Sequence, residues 1–423
     1  MAILVTTFAV LLLLGTPIAI TMIASSGLVI WLDGIPLTVL TQRVYSGLQS
    51  FPLLAIPLFI LAGVLMNESG ISDRLFGFTR ALVGHIRGGL AQTIVVGNVL
   101  MAGISGSSIA DTAATARVLV PQLEKAGYGR PFGAAISAVA GSLGPIIPPS
   151  ILMVIYAWLA NVSLGALFVS GIIPGILMAC VMMSVIAILA RLRGYPVDRA
   201  FSLEVVWQQF KRSILALAMP VIILVGFRLG AVTATEIAGI AAAYAAIVGV
   251  FIYRTVSIGS LPRIIATTAR ETAVILFIAA AATPLSWVLG IEQAPQIIVE
   301  FISGVTSTPW VVLLILNIAL LIVGMFMDTI AVIIILVPIL LPLLQAMQID
   351  LTQFGVVLLI NLVLGQLTPP VGVLLFVAMT ISKVSLVQVF KETVPFFLSL
   401  LVALMLITYI PEISLWLPAF LGF

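Results

Sequence analysis

Apolar runs long enough to cross a bilayer as helices, ~20 residues each, follow one another along almost the whole sequence. They lie at 3–30, 51–66, 91–120, 133–160, 165–190, 213–228, 236–252, 271–290, 310–342, 354–380 and 394–410. With 62% of its 423 residues hydrophobic and only 8% charged, the chain has far more apolar surface than a soluble core could take up. The barrel alternative would show short strands of alternating apolar and polar residues, and these runs do not alternate. The chain is therefore read as an all-α polytopic membrane protein. Its first run, Met1 to Ile30, lacks a basic leader and is followed by further runs, so it is read as a retained helix and not a cleaved signal.

Two stretches echo each other. The first runs from Gly103-Ile104-Ser105-Gly106-Ser107-Ser108 through Asp111 and Pro121 to Gly144-Pro145-Ile146-Ile147-Pro148-Pro149. The second runs from Gly324 through Asp328 and Pro338 to Gly365-Gln366-Leu367-Thr368-Pro369-Pro370. In each, an acid stands ten residues before a proline, and a glycine four residues before a Pro-Pro pair. Carboxylates and broken backbone are costly in lipid, where freed polar groups find no water. Placing that cost at matching positions in two halves points to a transporter binding site.

Charge chooses between reading 91–120 and 310–342 as spans or as hairpins that return to the side they entered. With hairpins, the loops holding Arg74, Arg80, Arg87, Lys125, Arg130, Arg191, Arg193, Arg199, Lys211, Arg212, Arg254, Arg263, Arg270, Lys383 and Lys391 fall on one face, which the positive-inside rule makes cytoplasmic. No Lys or Arg occurs from Glu271 to Ser382. This reading gives inverted repeats. The first covers 1–190, with a re-entrant hairpin at about 91–120 and a Pro-broken helix at about 133–160. A linker, 191–235, carries an extra crossing. The second repeat covers 236–423, with a hairpin at about 310–342 and a broken helix at about 354–380. The amino terminus is placed inside and the carboxyl terminus outside. Stretches 72–88 and 257–270 mix charge with apolar residues and are read as amphipathic helices on the inner interface, with snorkelling loops as the alternative.

Gly144-Pro145 with Pro148-Pro149 removes amide donors, so the helix opens and leaves carbonyl oxygens unpaired. Uncharged, hard oxygens at mid-membrane suit an alkali cation. Hydroxyls of Ser105 and Ser107 at the facing turn, and of Thr368 in the second half, can complete such sites. Asp111 and Asp328 stand where the second arm of each hairpin begins. Capping of that arm, contact with an ion, and a proton relay all remain open for them. Cys180 lies in an apolar run and is read as packing, and His85 as interfacial. No catalytic triad or phosphate-binding loop emerges, so the chain is not expected to be an enzyme. A net charge of +3 sits in short loops, and no nucleic-acid partner is expected.

Gly-Ile-Ser-Gly-Ser-Ser-Ile-Ala-Asp (103–111), Gly-Pro-Ile-Ile-Pro-Pro-Ser (144–150), Gly-Met-Phe-Met-Asp (324–328) and Gly-Gln-Leu-Thr-Pro-Pro (365–370) occur in that order. Together they resemble the large membrane subunit of TRAP transporters, the tripartite ATP-independent periplasmic transporters of bacteria and archaea. The resemblance implies a multi-pass protein of the cytoplasmic (inner) membrane with an elevator-type fold like that of the ion-transporter superfamily. It also implies sodium-coupled import of organic acids, either dicarboxylates or sugar acids such as sialic acid. The implied partners are a periplasmic substrate-binding protein and a small four-helix membrane subunit, expected here as a separate polypeptide, with membrane lipid around them. By the same analogy, one sodium would lie among Ser105, Gly144, Ile147 and Pro149 and a second among Gly324, Gly365, Thr368 and Val371, with Ser107, Asp111 and Asp328 supporting the turns. A proton-coupled or binding-protein-independent organic-anion transporter of the same fold is the alternative. A channel would need a continuous polar pore, and an intramembrane enzyme would change its substrate chemically.

Overall fold

The structure is a computed structural model that describes residues 1–198, 200–229 and 232–423, and their side chains except those of 229 and 303. Arg199, one of the basic loop residues, lies outside the described residues. Among the described residues every regular element is helical, apart from one isolated antiparallel bridge between Arg87 and Val197. Eight of the described helical segments are long and apolar enough to cross a membrane.

The four interrupted runs break where their sequences dictate. The run 91–120 forms helices Gly89–Ser105 and Ser108–Lys125. Gly106, at φ 59°, ends the first of these in the left-handed conformation that glycine adopts without strain, and Ser107 caps the second. The run 310–342 forms Pro309–Phe326 and Thr329–Ala346, with extended Met327 and Asp328 between them. Runs 133–160 and 354–380 split into Arg130–Gly141 with Ile151–Ala160, and Leu351–Gly365 with Val373–Ser382. Both Pro-Pro bonds in these breaks are cis.

The two halves interlock. Ser108–Lys125 packs on Arg130–Gly141 and also on Val373–Ser382, the second piece of the other broken helix. Thr329–Ala346 packs in turn on Ile151–Ala160. Helices of each half are thus packed against helices of the other, and the turns at Gly106 and at Met327–Asp328 come to line one cavity.

Polar contacts sort into two ends. At one, Glu68 pairs with Arg263 (2.8 Å), Arg193 with Glu392 (2.7 Å), and Arg80 makes two bonds to Asp198 and one to Gln122. At the other, Thr235 bonds the Phe51 carbonyl, Tyr409 bonds the Trp310 carbonyl, and Tyr156 donates to the Leu351 carbonyl at 2.6 Å. Phe423 packs beside Gly165. Gln122, on Ser108–Lys125, belongs to the first group, and Trp310 and Leu351, which flank the pair Pro309–Phe326 and Thr329–Ala346, to the other.

Three expectations are corrected. The run 3–30 is not one helix but two, Ala2–Leu13 and Ile18–Leu32, turned at Gly15 (φ 76°) and Pro17. The Met1 amino group pairs with Glu292, and Arg43, in the following helix Thr38–Ser46, lies 5.0 Å over the Trp287 ring, so the start of this segment and the helix after it meet the same end of one long helix. An amino terminus inside is therefore incompatible with a Glu292 loop outside. The second correction concerns 257–270, most of which is not a separate interfacial helix. It opens Leu261–Ile291, a continuous helix of 31 residues with Pro262 in its first turn, where a missing amide costs nothing. By contrast, 72–88 does contain a separate amphipathic helix, Ile71–Val83, with Ile71, Leu75 and Phe76 buried. Cys180 is exposed on the protein surface, not packed.

Candidate substrate and ion site

A cavity of about 640 Å3 lies between the two hairpin turns and the helix Leu261–Ile291. Its polar lining comes from Ser105, Ser107 and Ser108 of the first turn, Asp328 and Thr329 of the second, and Gln366 of the second break. Asn67, Arg270 and Glu271 close it from the facing helices.

At the first turn, Ser105 Oγ donates to Asp111 Oδ1 at 2.5 Å and accepts from the Ser107 amide at 3.3 Å. The Ala110 amide reaches Ser107 Oγ at 3.4 Å. Ser107 is therefore the cap. Asp111 is not, because it lies one turn inside the helix and holds a hydroxyl instead of free amides. Its carboxylate is fully buried, and Oδ2 has no partner among the described residues. A Cβ added at Gly144 would sit 2.8 Å from that Oδ2, and one at Gly106 would sit 2.7 Å from the Pro149 carbonyl oxygen. The turn and the break are thus in direct contact, which only glycine permits. Among the described residues no hydrogen bond reaches the carbonyls of Gly144, Ile147 or Pro149. The side chain of Ile147 faces Gly175. A buried carboxylate oxygen without a donor, beside unpaired carbonyls, is a donor set suited to a small hard cation.

The second half repeats the plan with different parts. Asp328 is a true cap, accepting from the Ile330 amide at 3.0 Å. Gly324 and Gly365 touch backbone to backbone: a Cβ at Gly365 would lie 2.5 Å from the Gly324 carbonyl carbon. The Gly365 carbonyl already accepts from the Thr368 amide (3.0 Å), whereas no bond reaches the Gly324 carbonyl among the described residues. Thr368 Oγ1 donates to the Leu364 carbonyl (3.2 Å) and keeps its lone pairs to accept. Val371 is 37% exposed beside this break.

Four helix amino termini, at Ser108, Ile151, Thr329 and Val373, begin at these turns and breaks, and each presents a partial positive end. Ser150 caps one of them, accepting from the Met153 amide at 3.4 Å. Such ends attract anionic groups, while the carbonyl ends of Gly89–Ser105 and Arg130–Gly141 attract cations.

The chain matches the family described as tripartite ATP-independent periplasmic transporter, DctM component, over residues 5–413. It is 39% identical over 383 residues to the C4-dicarboxylate TRAP transporter large permease protein DctM of Pseudomonas aeruginosa, covering 90% of each chain. The chain belongs to the DctM family of TRAP transporter large permeases. A second relative in this family, the sialic acid TRAP transporter large permease SiaM of Vibrio cholerae, is 33% identical over 98% of this chain and 97% of its own length. The solved YdaH transporter of Alcanivorax borkumensis shares the fold, with a TM-score of 0.62 at 18% identity and 88% of each chain covered. DctM-family chains are permease components of bacterial transporters and not enzymes, and this one is a multi-pass membrane protein.

Sequence motifs identified Ser105, Ser107, Asp111, Gly144, Pro149, Gly324, Asp328 and Gly365, and the fold brings these together in two groups. Gln366 stands inside one of the motifs, but the Gly and Pro-Pro of that segment signal its broken backbone and give no sign of a role for the side chain between them. Ser108 also stands inside a quoted motif and Arg270 among the basic loop residues, while Thr329, Asn67 and Glu271 carry no sequence signal beyond polarity in an apolar context.

Proposed function

We propose that this DctM-family chain is the large subunit of a sodium-coupled secondary importer of organic acids, working by an elevator mechanism. The hairpins enter from opposite faces as parts of inverted repeats, with the Lys/Arg-rich end cytoplasmic and the carboxyl terminus periplasmic. Given the pairing of Met1 with Glu292, the amino terminus is also assigned to the periplasmic face. The observation that carries this reading is the pairing of each turn with its glycine break around one central cavity, leaving unpaired carbonyls beside Ser105 and Thr368. Sodium would be held at Ser105, Gly144, Ile147 and Pro149, and at Gly324, Gly365, Thr368 and Val371. The substrate carboxylate would meet the helix amino termini in the cavity. A periplasmic binding protein would deliver the organic acid, and a small membrane subunit on a separate chain would brace the moving part. Dicarboxylates and sialic acid are the substrate classes named for the relatives above.

Reconstituted uptake with the cognate binding protein and small subunit, across imposed sodium or pH gradients, tests the coupling. A sodium gradient is expected to drive accumulation; uptake driven by a pH gradient alone would favour proton coupling. Ser105→Ala and Thr368→Ala are each expected to raise the sodium concentration for half-maximal uptake severalfold while leaving membrane insertion intact. Unchanged sodium activation in both would remove these hydroxyls from the ion sites. For the orientation, single cysteines near Arg193 and near Gln293, in a Cys180→Ser background, are expected to react with an impermeant reagent from opposite faces of intact cells. A cysteine at Ala2 is expected to behave like the one near Gln293. Equal labelling of the Arg193 and Gln293 sites would rule out the inverted arrangement.

A further inference from the structure

The side chain of Gln366 links the two hairpins at the wall of the cavity. Its Oε1 accepts from Ser108 Oγ at 3.2 Å, and its Nε2 donates to Thr329 Oγ1 at 2.6 Å. Ser108 and Thr329 occupy the same structural position, the first residue of the second arm of their respective hairpins. All three are buried: Gln366 is 4% exposed, Ser108 6% and Thr329 3%. The backbone of Gln366 is fixed as well, since its amide donates to the Leu362 carbonyl (3.2 Å) and its carbonyl accepts from the Leu374 amide (3.2 Å). It thereby ties together the two pieces of the broken helix on either side of it. The amide is held at both ends before it reaches across, so little further ordering is needed to keep the bridge.

Among the described residues the bridge is single. In the first half the residue after the break glycine is Pro145, which has neither donor nor acceptor on its side chain. An amide whose one end receives a hydroxyl proton and whose other end donates to a hydroxyl couples two oriented groups. Breaking either bond leaves a polar group in a buried place.

We propose that Gln366 is the positioning residue that couples the two hairpin turns, so that a change at one turn is transmitted to the other through Ser108–Gln366–Thr329. In the transport cycle this makes the two candidate ion sites respond together, a consequence that rests on the ion-coupled reading above; the coupling of the turns themselves does not.

The experiment reads the turns directly. In a Cys180→Ser background, Ile109→Cys on the first turn, which lines the cavity and is 42% exposed, is alkylated with a maleimide in reconstituted full-length protein without substrate. Thr329→Val, on the opposite hairpin, is expected to raise the alkylation rate at least threefold, and Gln366→Met to do the same. Both changes keep side-chain size while removing the bridge. Gln366→Glu is expected to bring the rate back close to the parent, because its carboxylate can accept from the Ser108 and Thr329 hydroxyls alike. A first-turn rate unmoved by Thr329→Val would overturn the coupling, as would equal acceleration by Gln366→Met and Gln366→Glu. Sodium titrated into the same assay is expected to slow alkylation with a steeper dependence in the parent than in Gln366→Met. No sodium effect in any variant, with Thr329→Val still accelerating the first turn, would count against the ion reading and leave the coupling of the turns supported.

Discussion

Gly365→Ala will reduce uptake roughly tenfold to a hundredfold without removing the protein from the membrane. The new Cβ would stand 2.5 Å from the carbonyl carbon and 2.7 Å from the Cα of Gly324. Both are backbone atoms at the end of a helix, so no rotamer change relieves the clash, and the hairpin must separate from the broken helix. Overpacking of this kind costs roughly 1 to 3 kcal/mol, which corresponds to one to two orders of magnitude in a step that needs the closed arrangement. Gly144→Ala should act similarly, since its Cβ would meet the Ser107 carbonyl carbon at 3.0 Å and Asp111 Oδ2 at 2.8 Å. Gly290→Ala is the control. It makes the same chemical change in a helix, with no heavy atom within 4 Å of the added methyl, and uptake should stay near the parent level. Reconstituted uptake normalised to purified protein measures all three; full activity in Gly365→Ala would show that this backbone contact is dispensable.

The halves were legible because their breaks need particular residues. Only Gly allows the close approaches at 144 and 365, and the prolines remove amides, so the repeat survives in the sequence as Gly with Pro-Pro. Roles inside the repeat were less legible. Equal spacing from Asp111 to Pro121 and from Asp328 to Pro338 suggested equal functions. Capping, however, depends on where the helix starts, and Ser107 starts one while Asp328 starts the other. The first run misled because hydropathy stays high through Leu14 while Gly15 and Pro17 turn the backbone, and a window average does not register direction. Most of the stretch 257–270 misled for the opposite reason: its charges look interfacial, but helix hydrogen bonding continues through Arg270 and Glu271 into the apolar part. Gln366 depends on contacts to Ser108 and Thr329, which are 258 and 37 residues away in sequence, and no local pattern encodes them.

Asp111→Ala should be the most damaging change at the first turn. The carboxylate holds Ser105 Oγ at 2.5 Å in a fully buried position, and a hydrogen bond to a charged group contributes roughly 1.5 to 3 kcal/mol. Removing the acceptor releases the hydroxyl that the first ion site would use, and uptake is expected to drop by about two orders of magnitude. Asp111→Asn keeps an acceptor oxygen of the same reach, so it should retain measurable uptake. Asp328→Asn should be milder than Asp328→Ala for a different reason, because its oxygen still caps the Ile330 amide. A double-mutant cycle separates positioning from independent roles. If Asp111 acts through Ser105, Ser105→Ala combined with Asp111→Ala should be no worse than Asp111→Ala alone, since Ser105→Ala removes a hydroxyl that Asp111→Ala has already released. Fully additive losses would mean that Asp111 contributes apart from Ser105. A proton relay predicts a third pattern: Asp111→Asn as inactive as Asp111→Ala, with pH-driven uptake in the parent that vanishes in both. An order of Asp, Asn, Ala with unchanged pH dependence would instead assign to Asp111 the task of aiming Ser105 Oγ at the break that begins with Gly144.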